Sequence, residues 1–197
     1  MDKPYIIVVG GPNGAGKSTI ARRVFAETVG LHEFVNADVI ATGLSAFNPQ
    51  SKALAAGRVM LARLRELAEQ RLSFAFESTL SSRTFAVWLR EQQIRGYEIS
   101  VIYIFLRNRE LSEDRVRIRV AGGGHDIPVE DLRRRFGRSA WNFINLYAPL
   151  ADSWAVYDNS EAEPETTATF DREDGLVVFN EVVWSQLNEI AKRQEDE

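Results

Sequence analysis

Residues 5–19 read YIIVVGGPNGAGKST, and the rest of the chain is interpreted outward from this stretch. Its first six residues are apolar and mostly β-branched, as in a buried parallel strand. The residues from Thr19 to Glu27 have the periodicity of a helix. Between them, Gly11–Ser18 fits the pattern G-x-x-x-x-G-K-[ST] in the strand–loop–helix context of a P-loop. The sequence therefore predicts a phosphate-binding loop; the alternative is a glycine-rich turn that binds nothing.

Each part of the loop has a predicted task in nucleotide binding. The glycines allow backbone N–H groups to curl around phosphate oxygens, and the helix N-terminus adds partial positive charge. Lys17 is expected to reach the β- and γ-phosphates, and the Ser18 hydroxyl is expected to ligate Mg²⁺. The predicted cofactors are ATP and Mg²⁺, bound by Gly11, Pro12, Asn13, Gly14, Ala15, Gly16, Lys17, Ser18 and Thr19.

Length and composition are those of one globular domain, which we expect to cover residues 1–197. No apolar run of about 18 residues is present, so no membrane span is expected. The absence of a signal-peptide pattern predicts a cytoplasmic protein. The absence of cysteine and the wide separation of His32 and His125 argue against a His/Cys metal site. The net charge of −4 argues against a general nucleic-acid binder.

Strand and helix patterns alternate along the chain after the loop. Strands are predicted at 33–36, 73–77, 97–106 and 153–157, followed by a hairpin at 166–170 and 176–180. Helices are predicted at 50–71, 83–95, 109–120, 129–146 and from residue 181 onward, with a loop at 41–49. We therefore expect an α/β, kinase-like P-loop NTPase fold with a mostly parallel sheet of about five strands, covered by helices on both faces. The C-terminal hairpin and helix complete it.

Acidic residues follow two of the predicted strands, at the sheet edge where parallel α/β proteins bind ligands. Asp38 follows the strand at 33–36 and is placed to act as general base toward an acceptor hydroxyl. Its alternative role is to cap the next helical turn. Glu77 ends the strand at 73–77, with Thr79 two residues later. This pair either clamps substrate hydroxyls, holds a water on Mg²⁺, or forms only an N-cap network.

Arginine is concentrated in one segment: nine of the 20 arginines lie between residues 107 and 138. We expect residues 107–145 to form a lid over the phosphates, because two predicted helices flank a glycine-rich loop there. On the first helix, Arg115 and Arg119 share a face. The second helix carries Arg134, Arg135 and Arg138. One or two of these arginines are expected to reach the γ-phosphate, and His125 with Asp126 to pack when the lid closes.

The choice among P-loop chemistries rests on which further motifs the chain lacks. It contains neither a Leu-Ser-Gly-Gly-Gln-type signature nor a strand ending in Asp-Glu, both of which a transporter ATPase requires. It also lacks the Asn-Lys-x-Asp motif of GTPases, which favours ATP. A small-molecule kinase needs little beyond positioning, cations and a carboxylate. Two alternatives stay open: a nucleotide-dependent switch acting on a protein partner, and a nucleic-acid end kinase.

Four motifs in order carry a resemblance to a known family. They are GPNGAGKST at 11–19, FVNAD at 34–38, FESTLS at 76–81 and RVxxRVxxGGHDIP at 115–128. This combination resembles the zeta toxin family, and most closely its short, stand-alone zeta-like P-loop kinases, over most of residues 5–160. The resemblance implies an ATP- and Mg²⁺-dependent kinase. In the toxins proper, the substrate is a UDP-N-acetyl amino sugar phosphorylated on its 3′-hydroxyl.

The resemblance also implies roles for individual residues. It implies phosphate binding by Lys17, general-base catalysis by Asp38, and substrate binding by Asp38 together with Glu77 and Thr79. The arginines that it implies at the γ-phosphate are Arg119 and either Arg134 or Arg135, of which we take Arg135. We therefore expect γ-phosphate transfer to a hydroxyl of a UDP-N-acetyl sugar or a related metabolite. A protein antitoxin is the further partner that the resemblance suggests, and neither nucleic acid nor a membrane is expected.

Overall fold

The structure is a computed structural model that describes residues 3–26, 31, 33–124 and 126–195. The strands in these ranges are β1 (Tyr5–Gly10), β2 (Phe34–Val35), β3 (Phe74–Ser78), β4 (Glu98–Phe105), β5 (Ser153–Asp158), β6 (Glu165–Asp171) and β7 (Gly175–Val178). The α-helices are α1 (Lys17–Ala26), α2 (Ala37–Leu44), α3 (Ala53–Glu69), α4 (Thr84–Ile94), α5 (Arg109–Ala121), α6 (Val129–Asn142), α7 (Ala148–Leu150) and α8 (Glu181–Glu195). None of the helices in these ranges is both long and apolar enough to cross a bilayer.

One sheet contains all seven described strands, in the order β2-β3-β1-β4-β5-β6-β7. The neighbours from β2 to β5 run parallel, and β6 and β7 join antiparallel. The expectation of a mostly parallel sheet of about five strands flanked by helices is confirmed. The predicted C-terminal hairpin is β6–β7, and it extends this same sheet.

The register of the central strands brings the P-loop and the β3 acid to one edge. β1 lies between β3 and β4, and Gly10 at its end is paired with Ser78 on one side and Tyr103 on the other. Val9 is paired with Glu77. Because parallel strands end at the same edge, the loop after β1 and the carboxylate at the end of β3 become neighbours.

Three local expectations were wrong in detail. Of the loop expected at 41–49, residues 41–44 are instead helical, because α2 occupies Ala37–Leu44 and is capped by the Asn36 side chain, and only residues 45–48 are loop. The helix expected at 50–71 begins as a 3₁₀ turn at Pro49–Lys52 and becomes α-helical only in α3. The helix expected at 129–146 changes at residue 143 into a π-helix, Phe143–Tyr147.

The π-helical turn belongs to the core that unites the C-terminal half of the chain. Phe143 stacks on Tyr103 with ring centroids 4.3 Å apart and meets Trp154 edge-on. Trp154 in turn stacks on Phe170 of β6 and on Trp184 of α8. Aromatic pairs at such separations add to the stabilisation from area burial. The hairpin and α8 therefore pack into the same hydrophobic core as the parallel strands.

Candidate active site

The P-loop backbone takes a shape that only glycine adopts readily at three positions. Gly11, Gly14 and Gly16 have φ angles of 142°, 73° and 83°. A Cβ on Gly11 would lie 2.3 Å from the Ile104 carbonyl oxygen, and one on Gly14 would lie 2.8 Å from the Ser112 carbonyl oxygen. These positions combine left-handed backbone with close approach of another chain segment, so each requires glycine. The loop is thus folded against β4 and α5 rather than projecting freely.

Two hydrogen bonds from distant segments anchor the loop. The Ser112 hydroxyl on α5 donates to the Asn13 carbonyl oxygen over 2.6 Å. The Asn159 side-chain amide, directly after β5, donates to the Ala15 carbonyl oxygen over 2.8 Å. Both bonds use carbonyl groups, so neither occupies an N–H group of the loop. The loop is therefore held in place before any phosphate arrives, which lowers the ordering cost of binding.

Lys17 is a buried cation at the first position of α1. Its exposed fraction is 6%, and its Nζ donates to the Pro12 carbonyl oxygen over 2.9 Å. The Glu77 carboxylate lies 3.9 Å away, which is long for an ion pair. Burial lowers the pKa of Lys17, opposed by the charges of Glu77 and Asp38 and reinforced by that of Arg119. An anion bound in the loop would compensate a charge that the protein compensates only in part.

Glu77 connects the P-loop helix to the start of α2. Its Oε2 accepts hydrogen bonds from the Ser18 hydroxyl at 2.6 Å and from the Asn36 amide at 2.7 Å. Mg²⁺ in nucleotide sites is commonly bound by one or two carboxylates together with phosphates and waters. In the described ranges no group of three or more His, Cys, Asp or Glu side chains forms a metal cluster. Ser18 with Glu77 nevertheless fits an Mg²⁺ that is completed by nucleotide phosphates.

Asp38 lies in the first turn of α2 with its side chain exposed. The alternative role considered for it, capping, belongs to Asn36, whose Oδ1 accepts from the backbone N–H of Asp38 at 2.8 Å and of Val39 at 3.3 Å. Across the part of the chain that the structure describes, no hydrogen bond or ion pair engages the Asp38 carboxylate. A carboxylate without such partners is available to accept a proton.

Only some of the arginines on α5 and α6 line the cavity that contains the P-loop. Arg115 and Arg119 on α5 and Arg135 on α6 line the same cavity as the P-loop, whereas Arg134 does not. Arg134 pairs with Asp131 at 2.6 Å, and Arg135 lies 3.8 Å from the same residue. Of the two arginines left open by the sequence, Arg135 is therefore the one that faces the cavity. His125, the histidine of the glycine-rich loop, lies outside the described residues, and so does His32.

One cavity of about 1100 Å³ brings the candidate residues together. The predicted residues that line it are Asn13, Gly14, Gly16, Lys17, Ser18, Thr19, Asp38, Glu77, Thr79, Arg119 and Arg135. Gly11, Pro12 and Ala15 are buried behind it. The wall opposite the loop consists mainly of α3 side chains, including Leu54, Met60 and Leu61. The cavity thus has a charged side around the loop and a more apolar side on α3.

Comparison with known proteins identifies the family. The model of the AAA domain family AAA_33 matches residues 6–138, about two thirds of the 197 residues. The chain belongs to this AAA domain family. A relative in Haemophilus influenzae (strain ATCC 51907 / DSM 11121 / KW20 / Rd), an uncharacterized protein, is 29% identical over 126 residues, which cover 64% of this chain and 88% of the relative.

Solved structures show the fold that this AAA domain shares with more distant proteins. AvrRxo1-ORF1:AvrRxo1-ORF2 superimposes with TM-scores of 0.77 with sulphate ions and 0.74 with ATP, at 15% identity. The superposition covers 94% of this chain but only 63% of that chain. The PezAT toxin–antitoxin system of Streptococcus pneumoniae superimposes with a TM-score of 0.65 at 13% identity. That superposition covers 100% of this chain and 87% of the other. A gluconokinase from Sinorhizobium meliloti superimposes with a TM-score of 0.52 at 19% identity, over 100% of this chain and 97% of the gluconokinase. The fold is that of P-loop kinases.

Three residues that position the site of this AAA domain were not identified from its sequence. Asn36 was read as the end of a strand, although an Asn immediately before a helix is a typical N-cap. Ser112 gives no local signal, because its hydroxyl acts on a loop 99 residues earlier in the chain. Asn159 follows the last parallel strand, at the edge of the sheet where ligands bind. This position in the sequence could have identified it as a residue of the site.

Proposed function

We propose that the protein is an ATP-dependent kinase that transfers the γ-phosphate to a hydroxyl group of a small molecule. The observation that supports it is the composition of the 1100 Å³ cavity. The cavity is lined by the P-loop lysine, by Asp38 and by the cations Arg119 and Arg135. In the described ranges the Asp38 carboxylate has no hydrogen-bond or ion-pair partner. Phosphoryl transfer depends almost entirely on such positioning and charge stabilisation.

In this proposal the loop and its surroundings hold the nucleotide. The N–H groups at the start of α1 and the Lys17 ammonium bind phosphate oxygens, and burial of Lys17 keeps this interaction strong. Ser18 and Glu77 are the residues that would hold Mg²⁺, which when bound neutralises part of the phosphate charge. Arg119 and Arg135 approach from α5 and α6 and stabilise charge on the transferred group.

Asp38 acts on the acceptor. It accepts the proton of the acceptor hydroxyl while that oxygen forms a bond to the γ-phosphorus. The bond between the γ-phosphorus and its bridging oxygen breaks at the same time, and ADP leaves. Thr79 at the end of β3 lines the same cavity and would orient other hydroxyl groups of the acceptor.

For the acceptor itself we propose a UDP-N-acetyl sugar or a related metabolite. Its support is the motif resemblance together with the size of the cavity. At about 1100 Å³ the cavity exceeds the usual range of roughly 300–1000 Å³ for one small ligand, and so leaves room beside the nucleotide. The likeness to a toxin–antitoxin system and to the AvrRxo1 pair leads us to propose a protein partner as well.

Mass spectrometry of a reaction mixture tests the proposal. The protein is incubated with ATP, Mg²⁺ and a panel of sugar nucleotides, and each product is weighed for an added phosphate. We expect one acceptor class to be phosphorylated. Asp38→Ala should lower this rate by about 10³-fold while leaving the affinity for an ATP analogue unchanged. Asp174→Ala, an exposed acid in the β6–β7 turn, is the matched control and should keep full activity.

Each other outcome points to a specific alternative. Full activity of Asp38→Ala would show that the base is another group. Absence of product across the panel would remove the sugar-nucleotide acceptor. Partner binding that changes with nucleotide, without transfer to any small molecule, would favour the switch. Salt-sensitive phosphorylation of oligonucleotide ends would favour a nucleic-acid kinase.

A further inference from the structure

A second pocket of about 660 Å³ adjoins the cavity that contains the P-loop, and Ser82 lines both. Its lining residues are Ser81, Ser82, Arg83, Arg138, Trp141, Asn142 and Gln194. They come from the start of α4, the end of α6 and the end of α8. Its volume falls within the usual range of small-molecule sites, roughly 300–1000 Å³.

The pocket carries two guanidinium groups, from Arg83 and Arg138. Arg83 stacks over the Trp141 ring at 4.9 Å, and within the described ranges neither Arg83 nor Arg138 forms an ion pair. The described lining contains no Asp or Glu. By contrast, Arg133, Arg134 and Arg135 on the same helix each pair with a carboxylate. Among the described residues, the positive charge of Arg138 therefore has no carboxylate partner, in contrast to the three arginines one turn earlier on α6.

Hydrogen-bond donors other than the guanidiniums also line this pocket. The Trp141 Nε1–H is buried and, in the described ranges, donates to no acceptor. The Ser81 hydroxyl is a further potential donor, whereas the Ser82 hydroxyl already donates to the Thr84 hydroxyl oxygen over 3.0 Å. The Asn142 amide is already used, donating to the Leu80 carbonyl oxygen. Two guanidiniums with adjacent hydroxyls are the donor set that binds a phosphate group.

We propose that this pocket is a second ligand site that binds the phosphate group of a small molecule through Arg83, Arg138 and Ser81. The site is separate from the P-loop, and its existence does not depend on the proposed kinase activity. An ion or metabolite with a single phosphate suits two arginines better than a polyphosphate, which would require more cations.

Hydrogen bonds between Ser81 and Thr79 also connect this pocket to the active cavity. The Ser81 hydroxyl, in the second pocket, lies 2.8 Å from the Thr79 hydroxyl, in the active cavity. Between them Leu80 has a φ of 54°, uncommon for a residue other than glycine, and its buried side chain packs against Gly10 at the start of the loop. When a phosphate accepts the Ser81 hydroxyl hydrogen, the bond between the two hydroxyls can persist only with Thr79 as its donor, so the Thr79 hydrogen is fixed toward Ser81. Occupancy of the second site should therefore change the acceptor side of the active cavity.

Binding is tested by NMR with inorganic phosphate as the probe. The P-loop is first saturated with a non-hydrolysable ATP analogue, so that added phosphate cannot report on the loop. The indole N–H signal of Trp141 is then followed, with Trp88, Trp154 and Trp184 as internal controls because they do not line the second pocket. We expect a saturable shift at Trp141 alone. No shift, or equal shifts at all four indoles, would overturn the site.

Matched arginine variants locate the phosphate. Arg138→Gln and Arg83→Gln should each weaken phosphate binding by about tenfold, the usual effect of removing a charged hydrogen-bond donor. Arg90→Gln on α4 is the control, because this exposed arginine lines neither cavity. Equal phosphate affinities in all three variants would place the ion elsewhere and refute the assignment.

Ser81→Ala separates binding from coupling. In the native protein, phosphate should move both the Trp141 indole signal and the Thr79 methyl signal. In Ser81→Ala, the Trp141 shift should persist while the Thr79 shift is lost. A Thr79 signal that moves equally in both proteins, or in neither, would refute the coupling. Because no turnover is measured, failure of the kinase proposal would leave these results unaffected.

Discussion

At the scale of single residues, the site depends on charges that the fold compensates only in part. Lys17 is nearly inaccessible, its carboxylate neighbour Glu77 lies 3.9 Å away, and that carboxylate already accepts two shorter hydrogen bonds. Removing a cation from water costs several kcal/mol, which a distant partner offsets incompletely. A phosphate bound in the loop would offset the remaining cost of burying Lys17.

We therefore predict that Lys17→Met stabilises the ligand-free protein by about 1 kcal/mol at neutral pH and abolishes nucleotide binding. Burial lowers the pKa of Lys17, so the unfolded chain binds more protons than the folded chain as the pH approaches 10.5. The stability of the native protein should consequently rise through this window, and the advantage of Lys17→Met should shrink. Chemical denaturation of both proteins between neutral pH and pH 10 measures the difference. A variant less stable than the native protein at neutral pH would contradict this account.

At the scale of elements, α2 is the helix that positions Asp38 at the cavity. Its cap Asn36 uses both ends of one amide: Oδ1 holds the first turn of α2, and Nδ2 donates to Glu77 at 2.7 Å. The helix that carries the proposed base is thereby fixed to the strand that carries the second acid. Losing this side chain should affect helix stability and site geometry together.

The predicted consequence is that Asn36→Ala lowers the free energy of unfolding by about 1–2 kcal/mol and reduces phosphotransfer at least tenfold. Asn180→Ala is the matched control, because its Oδ1 caps the start of α8 by accepting from Val183 N–H at 3.1 Å, far from the cavity. It should cost about 1 kcal/mol and leave activity unchanged. Denaturation curves and initial rates on the same preparations give both quantities. If the two variants lost activity equally, Asn36 would have no positioning role.

The individual strands and helices also show how much of this fold can be predicted from the sequence. The long apolar strands and the P-loop were predictable because their periodicity and spacing are local. α2 was missed because it is only eight residues long and contains Thr42 and Gly43, which are poor helix formers. The choice of Arg135 over Arg134 rests on no local pattern, because adjacent helical residues point about 100° apart and only the packing of α6 decides which one faces the cavity. Ser112 and Asn159 act across long sequence separations, which no local pattern encodes.

At the scale of the whole molecule, the C-terminal hairpin and α8 belong to the same core as the nucleotide-binding part. Trp154 of β5 lies 5.8 Å from Phe170 and 5.6 Å from Trp184, by ring centroids. β5 pairs with β4, which pairs with β1 before the P-loop. Because strand pairing is continuous from β1 to the last hairpin, we expect the described part of the chain to unfold cooperatively.

This cooperativity leads to a last prediction. An ATP analogue at about 100 times its Kd should raise the stability by about 2.7 kcal/mol, and thus the Tm of a single transition by about 5–10 °C. Trp184→Ala should lower the Tm by removing about 3 kcal/mol of core packing, yet leave the rise caused by the analogue unchanged, because Trp184 is remote from the loop. Calorimetry with and without the analogue measures both shifts. A second transition that responds to Trp184→Ala but not to nucleotide would show instead that the hairpin and α8 unfold as a separate unit.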